Sequence, residues 1–143
     1  MRKFFPKDTP PTNYGHCMNH GCPRSATCLR YIMGKSLHCQ QPFVSCLHPS
    51  HYPDGAQCQY YRSSAKVRVA WGVRYLWDEI PLRRAQSMKA ELIKYFGRPL
   101  YYSFYRKEVP LFPQDQDVIR RLFETNGINT EPAFESYSDE YDW

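Results

Sequence analysis

Cysteine and histidine, the side chains best suited to bind zinc or iron, are confined to the first part of the chain. All six cysteines and all five histidines lie between His16 and Cys58, and the remaining residues contain neither. Thiolates and imidazoles are the ligands that capture zinc, iron or an iron–sulfur cluster. The segment up to Cys58 is therefore predicted to be organised around a metal ion or a cluster.

Three cysteines have the spacing Cys17-x4-Cys22-x5-Cys28, close enough in sequence to converge on one ion. The paired C-x2-C motifs of zinc ribbons are missing, so the spacing indicates a metal but not a zinc finger. A tetrahedral site needs one more ligand, and the candidates are Cys39, Cys46, Cys58 and the histidines. Zinc is the expected ion because it suits structural sites without redox demands. A [4Fe–4S] cluster, which also takes four thiolates, is the alternative.

Two histidines are alternative ligands, because His16 and His20 are four residues apart and would share one face of a helix. Gly21 and Pro23 predict a loop instead, and the residue after His16 is not the glutamate of a zinc-protease motif. We expect both to be surface or hydrogen-bonded residues.

The location of the chain decides between disulfides and metal ligands. The sequence from Pro6 to Asp8 interrupts any early apolar run, and no stretch is long and apolar enough to cross a membrane. A cytoplasmic location is predicted, where cysteines are free thiols or ligands rather than disulfides. Residues 1–62 hold seven of the twelve prolines and show little apolar periodicity, so burial alone would not offset their ordering entropy.

Aromatic and basic residues lie close to four of the cysteines. The pattern comprises Tyr14-Gly15-His16-Cys17, Cys22-Pro23, Cys28-Leu29-Arg30-Tyr31, Cys58-x-Tyr60-Tyr61 and the closing Tyr141-Asp142-Trp143. It resembles a family of small uncharacterised bacterial proteins, a domain of unknown function, over most of the chain. The resemblance implies that the ligands are Cys17, Cys22, Cys28 and Cys58, and that Cys39 and Cys46 are incidental. That family has no established activity, so the resemblance implies no function.

The later part of the chain is predicted to form a small α+β body. Alternating apolar residues from Val67 to Val73 indicate a strand that runs into a helical turn. Helices are predicted from Pro81 to Gly97 and from Pro113 to Gly127. The aromatic run 100–105 and residues 109–112 suggest two strands around a polar turn. The predicted fold is a single α+β domain with a loop-rich, metal-stapled lobe (1–62), a basic body of two helices and a short antiparallel sheet (63–130) and an acidic aromatic segment (131–143).

Charge is distributed unevenly along the chain. The formal net charge is +5 for residues 1–62, +7 for 63–107 and −7 for 108–143. A basic surface is the usual footprint for phosphate backbones, whereas the simpler alternative is a solvated surface with internal charge pairing. The candidate nucleic-acid contacts are Arg83, Arg84, Lys89, Lys94, Arg98, Arg106 and Lys107.

Motifs for catalysis are missing from the sequence. Gly34-Lys35-Ser36 lacks the earlier glycine of a phosphate-binding loop, and no dinucleotide fingerprint or C-x-x-C redox motif is present. The sequence therefore favours a non-enzymatic, metal-stabilised binding or regulatory module that contacts RNA, DNA or a nucleoprotein and no membrane. The alternatives are an iron–sulfur protein in redox sensing or catalysis, and a protein–protein adaptor that uses the C-terminal segment.

Overall fold

The computed structural model describes residues 9–36, 42–53 and 57–143. In these residues the chain forms four α-helices and one two-stranded antiparallel sheet, which confirms the predicted α+β class. The elements are α1 (Leu29–Ser36), β1 (Val67–Trp71), α2 (Leu82–Phe96), α3 (Arg98–Tyr105), α4 (Pro113–Thr125) and β2 (Ser136–Glu140). Short 3₁₀ turns occupy Ser25–Thr27, Pro49–His51 and Arg74–Trp77.

The described chain divides into two compact units. The helical unit is Val67–Glu140, and the cysteine unit takes in the described residues before Val67 together with Tyr141–Trp143. The chain therefore passes between the units at two places, after Lys66 and after Glu140.

Helices α2 and α3 contribute four side chains to the core of the helical unit. Met88 and Leu92 of α2 are buried in one apolar cluster with Tyr101 and Phe104 of α3. These residues recur at spacings of three or four along their helices, which places them on one face. Gly97 separates the two helices and has a φ of 81°, a conformation that glycine adopts without steric cost. The predicted helix ending at Gly97 is confirmed.

The prediction of two strands at 100–105 and 109–112 is wrong. Residues 98–105 form helix α3, with Pro99 in its first turn, where the missing N–H costs nothing. Tyr101 and Phe104 are three residues apart and only 1% exposed. Aromatic residues favour strands, but this spacing lets the run bury one helical face, and burial outweighs the weaker propensity.

The strand predicted near Val67 is confirmed, but its partner lies in the acidic C-terminal segment. Strand β1 pairs with β2 in a register that runs from Val67 opposite Glu140 to Trp71 opposite Ser136. The other edge of β1 makes a single antiparallel bridge between Ala70 and Leu111. Residues 109–112 thus contribute one bridge where a full strand was expected.

Helix α4 follows the sequence prediction closely. Pro113 opens it, and the carboxylate of Asp115 accepts a hydrogen bond of 2.9 Å from the backbone N–H of Phe112. This arrangement satisfies a donor that the helix itself leaves free. Gln116 on the first turn donates to the carbonyls of Arg68 and Leu111, so it ties α4 to β1.

The cysteine unit contains one short helix, α1, and turns that are held by backbone hydrogen bonds. The Leu29 N–H donates to the Arg62 carbonyl at 2.7 Å, and the Ser64 N–H donates to the Thr27 carbonyl at 3.0 Å. These two bonds join the start of α1 to the segment that leads into β1. None of the helices in the described part of the chain is long and apolar enough to cross a membrane.

Candidate metal centre

Backbone hydrogen bonds fix the segments that carry the four predicted cysteine ligands. Cys17 donates its N–H to the Arg30 carbonyl at 3.1 Å, and Cys22 closes a turn on the Asn19 carbonyl at 3.3 Å. Cys28 directly precedes α1, and its carbonyl accepts from the Ile32 N–H at 2.9 Å. The carbonyl of Cys58 accepts from the Tyr61 N–H at 3.2 Å. The backbone at each of the four cysteines is therefore held by at least one hydrogen bond.

The same four cysteines line one cavity of about 20 Å³ in the cysteine unit. Cys28 is 8% exposed, and the other three are half-buried. The other lining residues are Asn19, Arg24, Ser25, Arg30, Tyr31, Leu47, Pro53, Tyr60 and Tyr61. A space of this size holds about one water molecule or one ion. Four residues spread over the sequence between 17 and 58 thus meet at one small cavity.

The electrostatics of Cys17 reflect the other three thiols. Burial raises the pKa of the Cys17 thiol, and the neighbouring thiols of Cys28, Cys22 and Cys58 raise it further, while a backbone hydrogen bond at Asn19 lowers it. Several thiolates close together repel each other, and burial disfavours each charge. A bound cation would remove both penalties and favour the deprotonated thiols.

Arg30 braces the walls of this cavity. Its Nη1 donates to the Gly15 carbonyl at 2.6 Å, and its Nε donates to the Tyr60 carbonyl at 2.9 Å. The first bond holds the segment that leads to Cys17, and the second holds the segment that follows Cys58. One guanidinium therefore connects two turns that are far apart in the sequence, using charged donors whose hydrogen bonds are strong.

Arg24 and Tyr61, which line the cavity, and Tyr14, which does not, make aromatic contacts in the same unit. The guanidinium of Arg24 lies 3.4 Å from the centroid of the Tyr61 ring. The hydroxyl of Tyr61 donates toward the carbonyl of Thr27 at 3.1 Å. Tyr14 packs edge-on against Trp143, with ring centroids 5.3 Å apart, and the Arg30 guanidinium lies 4.8 Å from the Tyr14 ring centroid.

The residues of the sequence pattern thus share one unit, from Tyr14 to the terminal Trp143, and a family profile matches residues 1–143. The chain belongs to DUF6078, a family of unknown function. No curated protein and no solved structure matches the chain. The resemblance inferred from the pattern to a domain of unknown function is confirmed. The function of this DUF6078 chain must therefore be inferred from its own geometry.

A formed metal-binding group is not present in the described part of this DUF6078 chain. No set of three or more His, Cys, Asp or Glu side chains among those residues is arranged to hold an ion. The metal-stapled lobe expected from the sequence is therefore not shown, because the four cysteines line one cavity without forming such a set. Each described cysteine carries a free thiol.

The alternative ligands lie in different surroundings. Cys46 is exposed and does not line the cavity, although its backbone bridges to His16. His20 is exposed, and its Nδ1 lies 3.0 Å from the Tyr31 hydroxyl. His16 is buried, and burial together with the Arg30 charge lowers its pKa, so the ring is neutral at neutral pH. Cys39 lies outside the described residues.

Sequence reasoning missed the roles of Arg24, Arg30 and Tyr60 at this cavity. Arg30 follows Cys28 by two residues, and Tyr60 follows Cys58 by two, so both were visible beside a predicted ligand. Their contacts depend on backbone carbonyls brought close by the fold. No sequence motif encodes such contacts. The available signal was that Arg30 and Tyr60 each lie two residues after a predicted ligand.

The predicted nucleic-acid contacts fall into two groups. Arg106 pairs with Glu108 at 2.6 Å, and Lys107 pairs with Glu135 at 2.5 Å. The remaining five lie on α2 and at the first residue of α3. None of them takes part in the ion pairs of the described residues. They are Arg83, Arg84, Lys89, Lys94 and Arg98.

Proposed function

We propose that the cysteine unit is a structural metal centre in which Cys17, Cys22, Cys28 and Cys58 bind one zinc ion. The observation that carries the proposal is the single small cavity lined by all four cysteines. Cysteines scattered at random over this unit would not share one cavity, and the exposed Cys46 does not. Four thiolates complete the tetrahedral set that structural zinc prefers.

The charge around the cavity supports thiolate binding. Zinc with four thiolates carries a net charge of −2, and the guanidinium groups of Arg24 and Arg30 line the same cavity. Cys28 also lies at the start of α1, where the helix dipole favours a negative sulfur. These groups offset the charge that the bound centre would bury. The thiols must still move closer together, since they do not form a ligand set without the ion.

The composition of the unit gives a reason for a metal. Of its described apolar side chains, only Tyr14, Cys28 and Leu29 are buried. Burial of three side chains offsets little of the entropy lost when a loop-rich segment is ordered. A structural zinc ion supplies folding free energy directly. The metal would therefore replace the apolar core that the unit lacks.

The proposed site is structural rather than catalytic. Four protein ligands fill a tetrahedral ion and leave no position for a substrate. The chain would then act as a binding module in a reducing compartment such as the cytoplasm, where thiolates stay free of disulfides. An adaptor that uses residues 131–143 as a free tail is less consistent with the fold, because β2 occupies part of that segment and pairs with β1.

A [4Fe–4S] cluster is the competing occupant, since it also takes four thiolates. It is much larger than one ion, and the cavity of about 20 Å³ favours the smaller occupant. Metal analysis and an absorbance spectrum of protein purified without oxygen distinguish the two. We expect one zinc per chain and a colourless protein. Brown protein with visible absorbance would show that the site holds the cluster and not zinc. Metal-free protein would overturn both the zinc proposal and the cluster alternative.

Two serine variants assign the ligands. Cys58→Ser removes a thiol that lines the cavity, and the zinc content should fall well below one per chain because three thiolates bind less tightly. Cys46→Ser is the matched control, since it removes an exposed thiol outside the cavity. Equal zinc loss in the two variants would show that the cavity is not the site.

A further inference from the structure

Helix α2 and the start of α3 carry a set of cations that the acidic part of the chain does not neutralise. Residues 82–98 contain five basic residues and one acidic residue, Glu91. The acidic C-terminal segment could have covered these cations, but two of its carboxylates pair with other basic residues. Glu135 contacts Lys107 and Arg74, and Glu131 contacts Arg120 at 3.2 Å.

Aromatic rings lie among these cations. The Arg98 guanidinium and the Lys89 ammonium lie 5.6 Å and 6.0 Å from the centroid of the Tyr102 ring. Tyr95, next to Lys94 in sequence, is 67% exposed. Its ring makes an edge-to-face contact with Phe96, with centroids 5.0 Å apart. An exposed aromatic ring beside positive charge combines the two contacts that hold single-stranded nucleic acid, base stacking and phosphate pairing.

The geometry points to a binding site for single-stranded nucleic acid on this surface. We define the α2–α3 basic surface by its members, Arg83, Arg84, Lys89, Lys94, Tyr95, Arg98 and Tyr102. The cations pair with phosphates, and the exposed ring of Tyr95 stacks on a base. Stacking requires bases that are not already paired and stacked in a duplex, so this ring favours a single strand.

Charge complementarity alone would also allow an acidic peptide to bind. The exposed ring of Tyr95 distinguishes an acidic peptide from a nucleic acid. A polypeptide of glutamates offers charge without rings, so it would gain nothing from Tyr95. A nucleic acid gains from both, and each stacked base adds affinity independently of its sequence. All residues of this surface lie in the helical unit, so nucleic-acid binding can be tested independently of the zinc centre.

The binding test uses the full chain with fluorescently labelled oligonucleotides. The probes are oligo-dT, oligo-U and a duplex of the same length, each titrated at several salt concentrations. The logarithm of affinity should fall with the logarithm of salt by about 0.7 per phosphate contact for a single strand. Both single strands should bind more tightly than the duplex, and their ratio assigns RNA or DNA. Failure to bind at low salt, or a preference for the duplex, overturns the inference.

Charge variants locate the site. The double variant Lys94→Gln/Arg98→Gln should weaken binding and reduce the salt slope by about 1.4, because it removes two phosphate contacts. Arg121→Gln is the control, since Arg121 is an exposed cation on α4 outside the surface. An unchanged slope in the double variant, or an equal loss in the control, would show that these cations are not the contacts.

Aromatic variants distinguish nucleic acid from a general polyanion. Tyr95→Ser should weaken single-strand binding about tenfold, whereas Tyr95→Phe should retain it because the stacking ring remains. Tyr75→Ser, at an exposed tyrosine outside the surface, is the matched control. Circular dichroism checks that each variant is folded. Equal affinity for poly-glutamate, or no effect of Tyr95→Ser, would leave only non-specific charge attraction and overturn the assignment.

Discussion

The helical unit buries eleven apolar side chains in one cluster, whereas the described part of the cysteine unit buries only Tyr14, Cys28 and Leu29. The cysteine unit relies instead on hydrogen bonds between turns and on cations stacked over tyrosine rings. Apolar burial is non-directional and tolerates rearrangement, but hydrogen bonds between turns need each partner in place. One chain therefore uses two kinds of stabilisation, and each should respond differently to mutation.

The largest effect should come from removing a core ring of the helical unit. Phe104 is 1% exposed and packs against Phe96, with ring centroids 5.3 Å apart. Phe104→Ala leaves a cavity and should cost about 3–5 kcal/mol in the free energy of unfolding. Urea denaturation measures the loss, and hydrogen exchange of peptides from α2 and α3 locates it. A loss below about 1 kcal/mol would mean that this cluster does not hold the unit together.

The next effect should come from Arg30, the brace of the cysteine unit. Arg30→Met keeps an apolar stem but removes both hydrogen bonds to backbone carbonyls, and should cost about 2–3 kcal/mol. Limited proteolysis should then cut the cysteine unit faster while α2 and α4 stay protected. Arg62→Met is the control, because the Arg62 side chain donates to the carbonyl of its sequence neighbour Tyr61 and does not connect distant turns. Equal protection of both variants would contradict the role given to Arg30.

A smaller and pH-dependent effect is expected at Glu135 in the helical unit. Its side chain is 6% exposed and pairs with Lys107 at 2.5 Å, and with Arg74 at 3.9 Å. The hydrogen bond from Lys107 lowers the pKa of Glu135, against the opposing effect of burial. A depressed carboxyl pKa contributes stability above the unfolded value of about 4.3, and this is lost as the pH falls through the folded value.

Glu135→Gln should therefore lower the free energy of unfolding at neutral pH. In acid, the free energies of unfolding of the variant and the parent should converge. The effect stays modest because Lys107 and Arg74 are 42% and 52% exposed, so water screens both pairs. Urea denaturation across the acidic range measures it, with the exposed Glu124→Gln as the control. If the free energies of unfolding of parent and variant differed by the same amount at every pH, the ionised Glu135 pair would contribute nothing to stability.

The sequence predicted the helical unit best where periodicity and end signals agreed. Pro81 and Gly97 bracket α2, and Pro113 with Asp115 opens α4, because those residues restrict the backbone locally. Helix α3 was predicted as a strand because aromatic propensity and helical spacing conflicted over a short run. The partner of β1 lies more than sixty residues along the chain, and pairing at that separation leaves no local signal.

For the cysteine unit the sequence identified the residues but not their arrangement. Close spacing grouped Cys17, Cys22 and Cys28, and the family resemblance added Cys58. All four line one cavity, but the brace from Arg30 to the Gly15 carbonyl depends on folded backbone positions. Every residue has a backbone carbonyl that can accept a hydrogen bond, whatever its side chain. A sequence motif therefore cannot indicate which carbonyl a side chain will contact.

The smallest effect tests where the boundary between the two kinds of stabilisation lies. Trp143 packs on Tyr14 at 5.3 Å and on Tyr141 at 5.4 Å between ring centroids, so the last residues belong to the cysteine unit although β2 directly precedes them. An aromatic pair contributes about 0.5–1.5 kcal/mol beyond its buried area. Trp143→Ala should therefore speed hydrogen exchange around Tyr14 and α1 by several-fold while β1 and β2 keep their protection. Faster exchange in the strands with an unchanged cysteine unit would assign the terminal residues to the sheet instead. Trp143→Phe keeps an aromatic ring at this position and should retain most of the protection. The two variants together show whether the ring contact accounts for the effect.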